Sequence, residues 1–121
     1  MRLYIIAFLF STVYVYGGMV DLENSDFFES PRALSWERAT EFCLSLNARM
    51  LNVEELEVAY ESNLGEDFLN EYYWSGTPGD DYYGAYVFQF GFGLKTIHHV
   101  SQKHRVMCIK KRKIRRRYQR Y

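Results

Sequence analysis

Residues 35–56 read Ser-Trp-Glu-Arg-Ala-Thr-Glu-Phe-Cys-Leu-Ser-Leu-Asn-Ala-Arg-Met-Leu-Asn-Val-Glu-Glu-Leu, and this stretch decides the fold. Its apolar side chains recur at the spacing of one helix face: Trp36, Ala39, Cys43 and Leu46, with Phe42 widening that face. A helix that buries one stripe of its surface against a core has this period. The sequence therefore predicts a first helix that carries a cysteine on its buried side.

Capping residues indicate where this helix and a second one begin. Ser35 is a favoured N-cap residue, and Glu37 places a negative charge in the first turn, where the helix dipole favours it. Asn47 can adopt the left-handed conformation that ends a helix. Asn52 followed by Glu55 repeats the start signal as a capping box. We therefore predict a second, shorter helix, whose apolar side consists of Val53, Leu56, Tyr60 and Leu64.

Composition and length indicate one folded domain. The chain has 121 residues, of which 48% are hydrophobic and 18% aromatic, so it can form a packed core and does not belong to the disordered class. The formal net charge of +0 hides an asymmetry, because residues 18–109 hold six basic residues against all 15 acidic ones. The C-terminal end carries eight basic residues: Lys110, Lys111, Arg112, Lys113, Arg115, Arg116, Arg117 and Arg120.

The N-terminus has the pattern of an export signal. Arg2 precedes about 14 uncharged, mostly apolar residues, a length typical of a signal peptide and short of the roughly 20 that span a bilayer. We predict a signal peptide over residues 1–17; the alternative is a retained membrane anchor. Residues 18–34 are then an N-terminal arm or strand, docked by Phe27 and Phe28. The protein is expected to be secreted, periplasmic or on the cell surface.

The two cysteines favour a disulfide. An even cysteine count in an exported chain usually means pairing, and Cys43–Cys108 would close a loop worth about 4 kcal/mol by the chain-entropy estimate. The alternative is two buried free thiols. A catalytic cysteine is not expected, because neither residue has a histidine nearby in the sequence and a cysteine on an apolar helix face is ordinarily inert.

The second half of the chain predicts strands. Aromatic and β-branched segments fall at residues 72–77, 83–90, 94–100 and 105–110, and a Pro-Gly-Asp-Asp turn follows the first of them. Alternation in the second strand places Ala85, Val87 and Gln89 on one face and Tyr86, Phe88 and Phe90 on the other. The predicted class is α+β, with two helices followed by a small antiparallel sheet of three or four strands.

Four motifs in this order resemble those of a known family. They are Trp36, Ala39 and Cys43; Arg49-Met50-Leu51-Asn52-Val53-Glu54-Glu55-Leu56; Tyr73-Trp74-Ser75-Gly76-Thr77; and Val106-Met107-Cys108-Ile109. Residues 35–110 resemble the bacterial Lcl C-terminal domain family, a group of small extracellular modules, and more broadly the C-type-lectin-like fold. The family has Pro, Ser and Arg at the positions of Leu51, Gly76 and Met107.

The resemblance implies more than a secondary-structure order. In the C-type-lectin-like fold a cysteine in the first helix pairs with one in the final strand, which corresponds to Cys43 and Cys108. For the best-known member of the family it implies adhesion, by a trimeric tip domain that binds sulfated polysaccharide through basic surface. A homo-oligomer, a trimer by resemblance only, is the corresponding expectation here.

Patterns for metals and catalysis are absent from the sequence. Sugar-binding C-type lectins hold calcium with a Trp-Asn-Asp strand, whereas Trp74 is followed by Ser75 and Gly76. His98 and His99 point to opposite faces of a strand, and no cysteine and histidine cluster has zinc spacing. No nucleophile elbow or phosphate-binding glycine loop is present. We predict a non-enzymatic protein with no metal or cofactor. Four acidic residues are read as solvated acids rather than calcium ligands: Glu66, Asp67, Asp80 and Asp81.

The basic tail, residues 111–121, is the strongest functional signal. Together with Lys110 its lysines and arginines suit polyanions such as sulfated glycans, lipopolysaccharide phosphates or anionic lipid, and nucleic acid is not expected for an exported protein. There are two competing interpretations of the tail: it contacts the chain's own acidic surface, or it is an inert solvated end. We predict an exported binding module for anionic glycans or envelope surfaces; the alternative is an assembly protein whose tail docks on an acidic partner or another copy.

Three aromatic residues that we expect to be exposed would add a stacking surface to the domain: Tyr82, Tyr83 and Tyr86.

Overall fold

The computed structural model describes Leu22 and residues 24–112. The predicted signal peptide over residues 1–17 and the tail beyond Arg112 lie outside this part of the chain. The elements in chain order are β1 Ser25–Glu29, α1 Trp36–Ser45, β2 Arg49–Met50, α2 Val53–Tyr60, a 3₁₀ helix Asn63–Asp67, β3 Tyr72–Pro78, β4 Gly84–Gln89, β5 Leu94–His99 and β6 Arg105–Lys111. The α+β class with two helices is confirmed for the described residues.

The sheet is larger than the small antiparallel sheet that the sequence predicts. It has six strands among the described residues, in the order β1-β6-β3-β4-β5, with β2 also paired to β6. It is mixed, because β3 runs parallel to β6 over two residue pairs while the remaining pairs are antiparallel. In the chain, the β4–β5 hairpin comes between β3 and β6, and in the sheet it lies on one side of β3. After β5 the chain crosses over to the other side of β3, where β6 runs parallel to β3. Strand β1 adds a further edge along residues 107–111 of β6.

Each helix covers one face of this sheet. The residues packed around α1 form one buried cluster, which is Ala39, Cys43, Ala48, Met50, Trp74, Ala85, Val87, Val106 and Cys108. Those around α2 form the other, which is Leu22, Leu51, Leu56, Ala59, Phe68, Tyr73, Phe88, Phe90, Met107 and Ile109. Since neighbouring strand residues point to opposite faces, β3, β4 and β6 contribute alternately to both clusters. The two sets of residues predicted to alternate along β4 therefore face the two different clusters.

The local signals that define the helices are present. The Ser35 side chain accepts a hydrogen bond from the Arg38 amide at 3.3 Å, and Asn52 with Glu55 forms the complete capping box. Asn47 has φ 56°, the left-handed conformation expected after α1. The apolar face of α2 differs from the prediction, because the helix ends at Tyr60. Ala59 is buried there, Tyr60 is 39% exposed, and Leu64 belongs to the 3₁₀ helix.

The disulfide between Cys43 and Cys108 is confirmed and joins α1 to β6, with both residues fully buried. On the other face of the sheet, Phe27 of β1 packs against the α2 cluster, while its neighbour Phe28 is 37% exposed. No helix within the described residues is long and apolar enough to cross a membrane.

Candidate functional site

The segment between β1 and α1 is fixed to the rest of the fold by side-chain and backbone hydrogen bonds. The indole of Trp74 donates to the Leu34 carbonyl at 2.7 Å, and the indole of Trp36 donates to the Ser75 carbonyl at 2.8 Å. Leu34 and His104 exchange two backbone hydrogen bonds, 2.8 and 2.9 Å long. These bonds hold the start of α1 beside β3 and beside the β5–β6 connection, and two cavities open at that meeting point.

The first cavity, which we call the aromatic cavity, has a volume of about 710 Å³. Helix α1, the β3–β4 turn and the β5–β6 connection supply its lining: Ser35, Trp36, Glu37, Thr40, Glu41, Tyr82, Val100 and Ser101. Trp36 is partly buried and Tyr82 is 91% exposed, so the two rings present apolar surface at different depths. Flat apolar rings next to carboxylates and hydroxyls match the amphipathic surface of a saccharide, whose ring faces are apolar and whose hydroxyls donate and accept.

The second cavity, which we call the cationic cavity, has a volume of about 500 Å³ and shares Ser35 with the first. It is lined by Arg32, Ala33, Leu34, Ser35, Arg38 and Lys103, and therefore by three cations and no carboxylate. The three cationic residues are solvent-exposed. Their side chains form no ion pair with any residue that the structure describes.

Four other basic residues of the described part of the chain pair with carboxylates. The ion pairs are Arg49–Glu55 at 2.8 Å, Lys95–Glu57 at 3.3 Å, Arg105–Glu29 at 3.2 Å, Arg105–Glu71 at 3.1 Å and Arg112–Asp26 at 3.1 Å. Residues 24–112 contain 13 acidic side chains against nine basic ones, so carboxylates are in excess. The positive charge of the cationic cavity is therefore a local property that opposes the balance of the domain.

The predicted polyanion-binding residues lie elsewhere. Lys110 and Lys111 are exposed near the end of β6, and Arg112 pairs with Asp26 and donates to the Ser25 carbonyl at 3.2 Å. At about 3.3 Å per residue, β6 separates Lys110 from Lys103 by about 20 Å. The remaining predicted residues lie outside the described part of the chain: Lys113, Arg115, Arg116, Arg117 and Arg120.

Of the three tyrosines predicted as a stacking surface, the structure brings two together. The rings of Tyr82 and Tyr83 are 5.7 Å apart, and both residues are exposed. Tyr83 also stacks on His99 with 6.0 Å between ring centroids. Tyr86 is half-buried on β4 and, among the described rings, contacts neither of them. Only Tyr82 lines the aromatic cavity.

The sequence did not indicate the pairing of His98 with His104. His98 Nδ1 and His104 Nε2 are 2.8 Å apart, and both rings pack against Tyr72. Burial, and to a smaller extent the nearby His98, lowers the pKa of His104 to about 4.

Within residues 24–112 no group of three or more histidine, cysteine or acidic side chains is arranged to hold a metal ion.

The stability of the fold should therefore depend on pH through His104. Because the folded-state pKa is lower than the ordinary 6.5, the unfolded chain takes up a proton first, and stability is lost as the pH falls from about 6.5 towards 4. After discounting for its partial exposure, we expect a loss of about 1 kcal/mol at pH 5. Urea denaturation at neutral pH and at pH 5 measures this loss, and His104→Gln should reduce it. The exposed His99→Gln is the matched control; an equal pH response in both variants contradicts the assignment to His104.

The chain matches no protein-family model, and no curated protein is significantly similar to it.

Proposed function

We propose that this protein is an exported, non-catalytic binding module that recognises an anionic polysaccharide or an envelope surface. The observation that carries the proposal is the aromatic cavity, which is lined by the rings of Trp36 and Tyr82. The carboxylates of Glu37 and Glu41 in the same lining can accept hydrogen bonds from sugar hydroxyls, so the anionic groups of the ligand lie outside this cavity, against basic residues. Recognition sites of this kind combine apolar walls with a few convergent polar groups. The basic tail adds long-range electrostatic attachment, and its first residues, Lys110 and Lys111, are exposed.

We further propose that the domain has a C-type-lectin-like fold and belongs with the Lcl C-terminal domain modules. The disulfide from α1 to the last strand supports this, as does the position of Trp36 and Ala39 on the face of α1 that packs against the sheet. A paired disulfide is also compatible with a protein that works outside the cytosol, secreted, in the periplasm or on the cell surface. The proposed homo-oligomer, a trimer, comes from the resemblance alone.

A second candidate function, assembly through the basic tail, is favoured by one contact. Arg112, the first residue after β6, forms an ion pair with Asp26 and so shows that carboxylates of the domain accept a cation from this end of the chain. In this alternative the following basic residues dock on an acidic partner protein or on another copy. Light scattering distinguishes the two functions, because assembly predicts a concentration-dependent mass that is lost when residues 113–121 are deleted.

Retention on immobilised heparin, with sodium chloride raised stepwise, tests the proposed function. Deletion of residues 113–121 should lower the salt concentration at elution, because fewer cations contact the polymer. Tyr82→Ala should weaken binding about tenfold through loss of ring contact in the aromatic cavity. Tyr83→Ala is the matched control, since this tyrosine is a neighbour in the same turn and does not line the cavity. Equal retention of both tyrosine variants and the parent protein would exclude the aromatic cavity as the binding site.

A further inference from the structure

The cationic cavity has a charge that calls for a specific kind of ligand. Arg32, Arg38 and Lys103 come from the β1–α1 segment, from α1 and from the β5–β6 connection, and all three line one space of about 500 Å³. Like charges at short range repel each other, and nearby carboxylates would relieve this repulsion. None of the 13 acidic residues in the described part of the chain lines the cavity. Within the described residues, the fold therefore places three positive charges at one cavity whose lining contains no carboxylate.

A compact dianion satisfies this arrangement better than a single negative charge. A monoanionic sulfate ester would leave two of the three positive charges uncompensated, whereas a phosphate monoester carries about −1.5 to −2 at neutral pH. Arginine forms two parallel hydrogen bonds to phosphate, and lysine adds a point charge. Two arginines and one lysine thus provide enough donors for three terminal phosphate oxygens.

The neighbouring cavity indicates what the phosphate is attached to. Ser35 lines both cavities, so a group in one lies next to a group in the other. We propose that the cationic cavity binds the phosphate monoester of a phosphorylated sugar whose ring lies in the aromatic cavity. This inference rests on the proposed function, since it gives the ligand of the same site a defined anionic substituent. It places the anion at the β1–α1 segment, about 20 Å from the basic residues at the end of β6.

Titration of the oxidised full chain with glucose 6-phosphate, followed by amide chemical shifts, tests the proposal. We expect shifts at Arg32, Ser35, Arg38 and Lys103, and affinity about fivefold or more above that for glucose 6-sulfate or inorganic phosphate. Affinity should fall as the pH drops through about 6, where the phosphate becomes a monoanion, with no such fall for the sulfate.

The triple variant Arg32→Gln, Arg38→Gln, Lys103→Gln should bind glucose 6-phosphate at least about tenfold more weakly. Lys95→Gln is the matched control, because it removes a cation of β5 that lines neither cavity, and it should change the affinity less than twofold. Thermal unfolding verifies that the variants fold, which we expect because the three side chains are exposed and form no ion pair within the described residues. Three results would each overturn the proposal: unchanged affinity in the triple variant, shifts confined to residues 110–112, or equal binding of the sulfate.

The two proposals fail separately. If Tyr82→Ala abolishes heparin retention while the triple variant binds glucose 6-phosphate like the parent, the binding module stands and the phosphate site is wrong. If the triple variant loses glucose 6-phosphate while heparin retention does not depend on Tyr82 or the tail, the phosphate site stands and polysaccharide recognition is wrong.

Discussion

Replacing both cysteines, Cys43→Ala with Cys108→Ala, is expected to lower the free energy of unfolding by about 5 kcal/mol, of which about 4 kcal/mol comes from opening the loop and about 1 kcal/mol from lost packing. The bond closes a loop with a sequence separation of 65 residues, so its loss restores conformational freedom mainly to the unfolded chain. Domains of this size are stable by about 5–15 kcal/mol, and the bond therefore contributes a large share of the total. Urea denaturation of the oxidised parent and of the double variant measures the difference, and the midpoint of thermal unfolding should fall by about 20–40 °C.

The reduced parent protein is the control for side-chain volume. Reduction opens the same loop but leaves both sulfur atoms in the cluster around α1, so any further loss in the double variant reports packing alone. Both residues are fully buried, and we expect that further loss to be about 1 kcal/mol. A reduced protein with two titratable thiols and an unchanged urea midpoint would show that the loop is not what stabilises the domain.

The features that the sequence predicted are those with local causes. The capping box of Asn52 and Glu55 and the N-cap at Ser35 each depend on residues three positions apart. The buried side of α1 follows from helical spacing, which places Ala39 and Cys43 on one face. The disulfide was predicted from a cysteine count of two in a chain whose N-terminus has the pattern of an export signal. Each of these signals is contained within a short segment or in the composition.

The features that the sequence did not predict depend on contacts between distant segments. Nothing in Ser25–Glu29 specifies that it pairs with β6, whose residues lie more than 70 positions later in the chain. The parallel contact of Tyr73 and Trp74 with β6 depends on where the β4–β5 hairpin is placed. When both faces of a strand are buried, apolar residues occupy both sets of alternating positions. The sequence of such a strand then does not show which of its sides faces the core.

The cationic cavity was missed for the same reason. Arg32, Arg38 and Lys103 are single basic residues in an acidic region, and only the fold brings them together. The tail was easier to identify, because its charges are contiguous. Part of the aromatic cavity was accessible, since Tyr82 was predicted as a stacking residue, while Trp36 was assigned to the helix face. Trp36 has both roles: its indole donates a hydrogen bond to the Ser75 carbonyl, and the residue also lines the aromatic cavity.

Trp74→Ala is expected to destabilise the domain by about 4 kcal/mol and to disturb the site as well. Trp74 is fully buried in the cluster around α1, with its ring 5.0 Å from that of His104. Its indole nitrogen donates to the Leu34 carbonyl, which belongs to the segment that lines the cationic cavity. Removal of the ring therefore creates a cavity in the core and releases one bond that positions Arg32 and Ser35. Urea denaturation measures the first effect, and amide exchange at residues 32–35 the second.

The more conservative Trp74→Phe separates these two contributions. It keeps most of the apolar volume and removes the donor to Leu34, so we expect a loss of about 2 kcal/mol together with faster amide exchange at residues 32–35. Trp36→Phe is the matched control, because it also removes one indole donor, to the Ser75 carbonyl, from a ring that is only partly buried. We expect it to cost about 1 kcal/mol. If both phenylalanine variants lose the same stability and leave exchange at residues 32–35 unchanged, Trp74 does not link the core to the site.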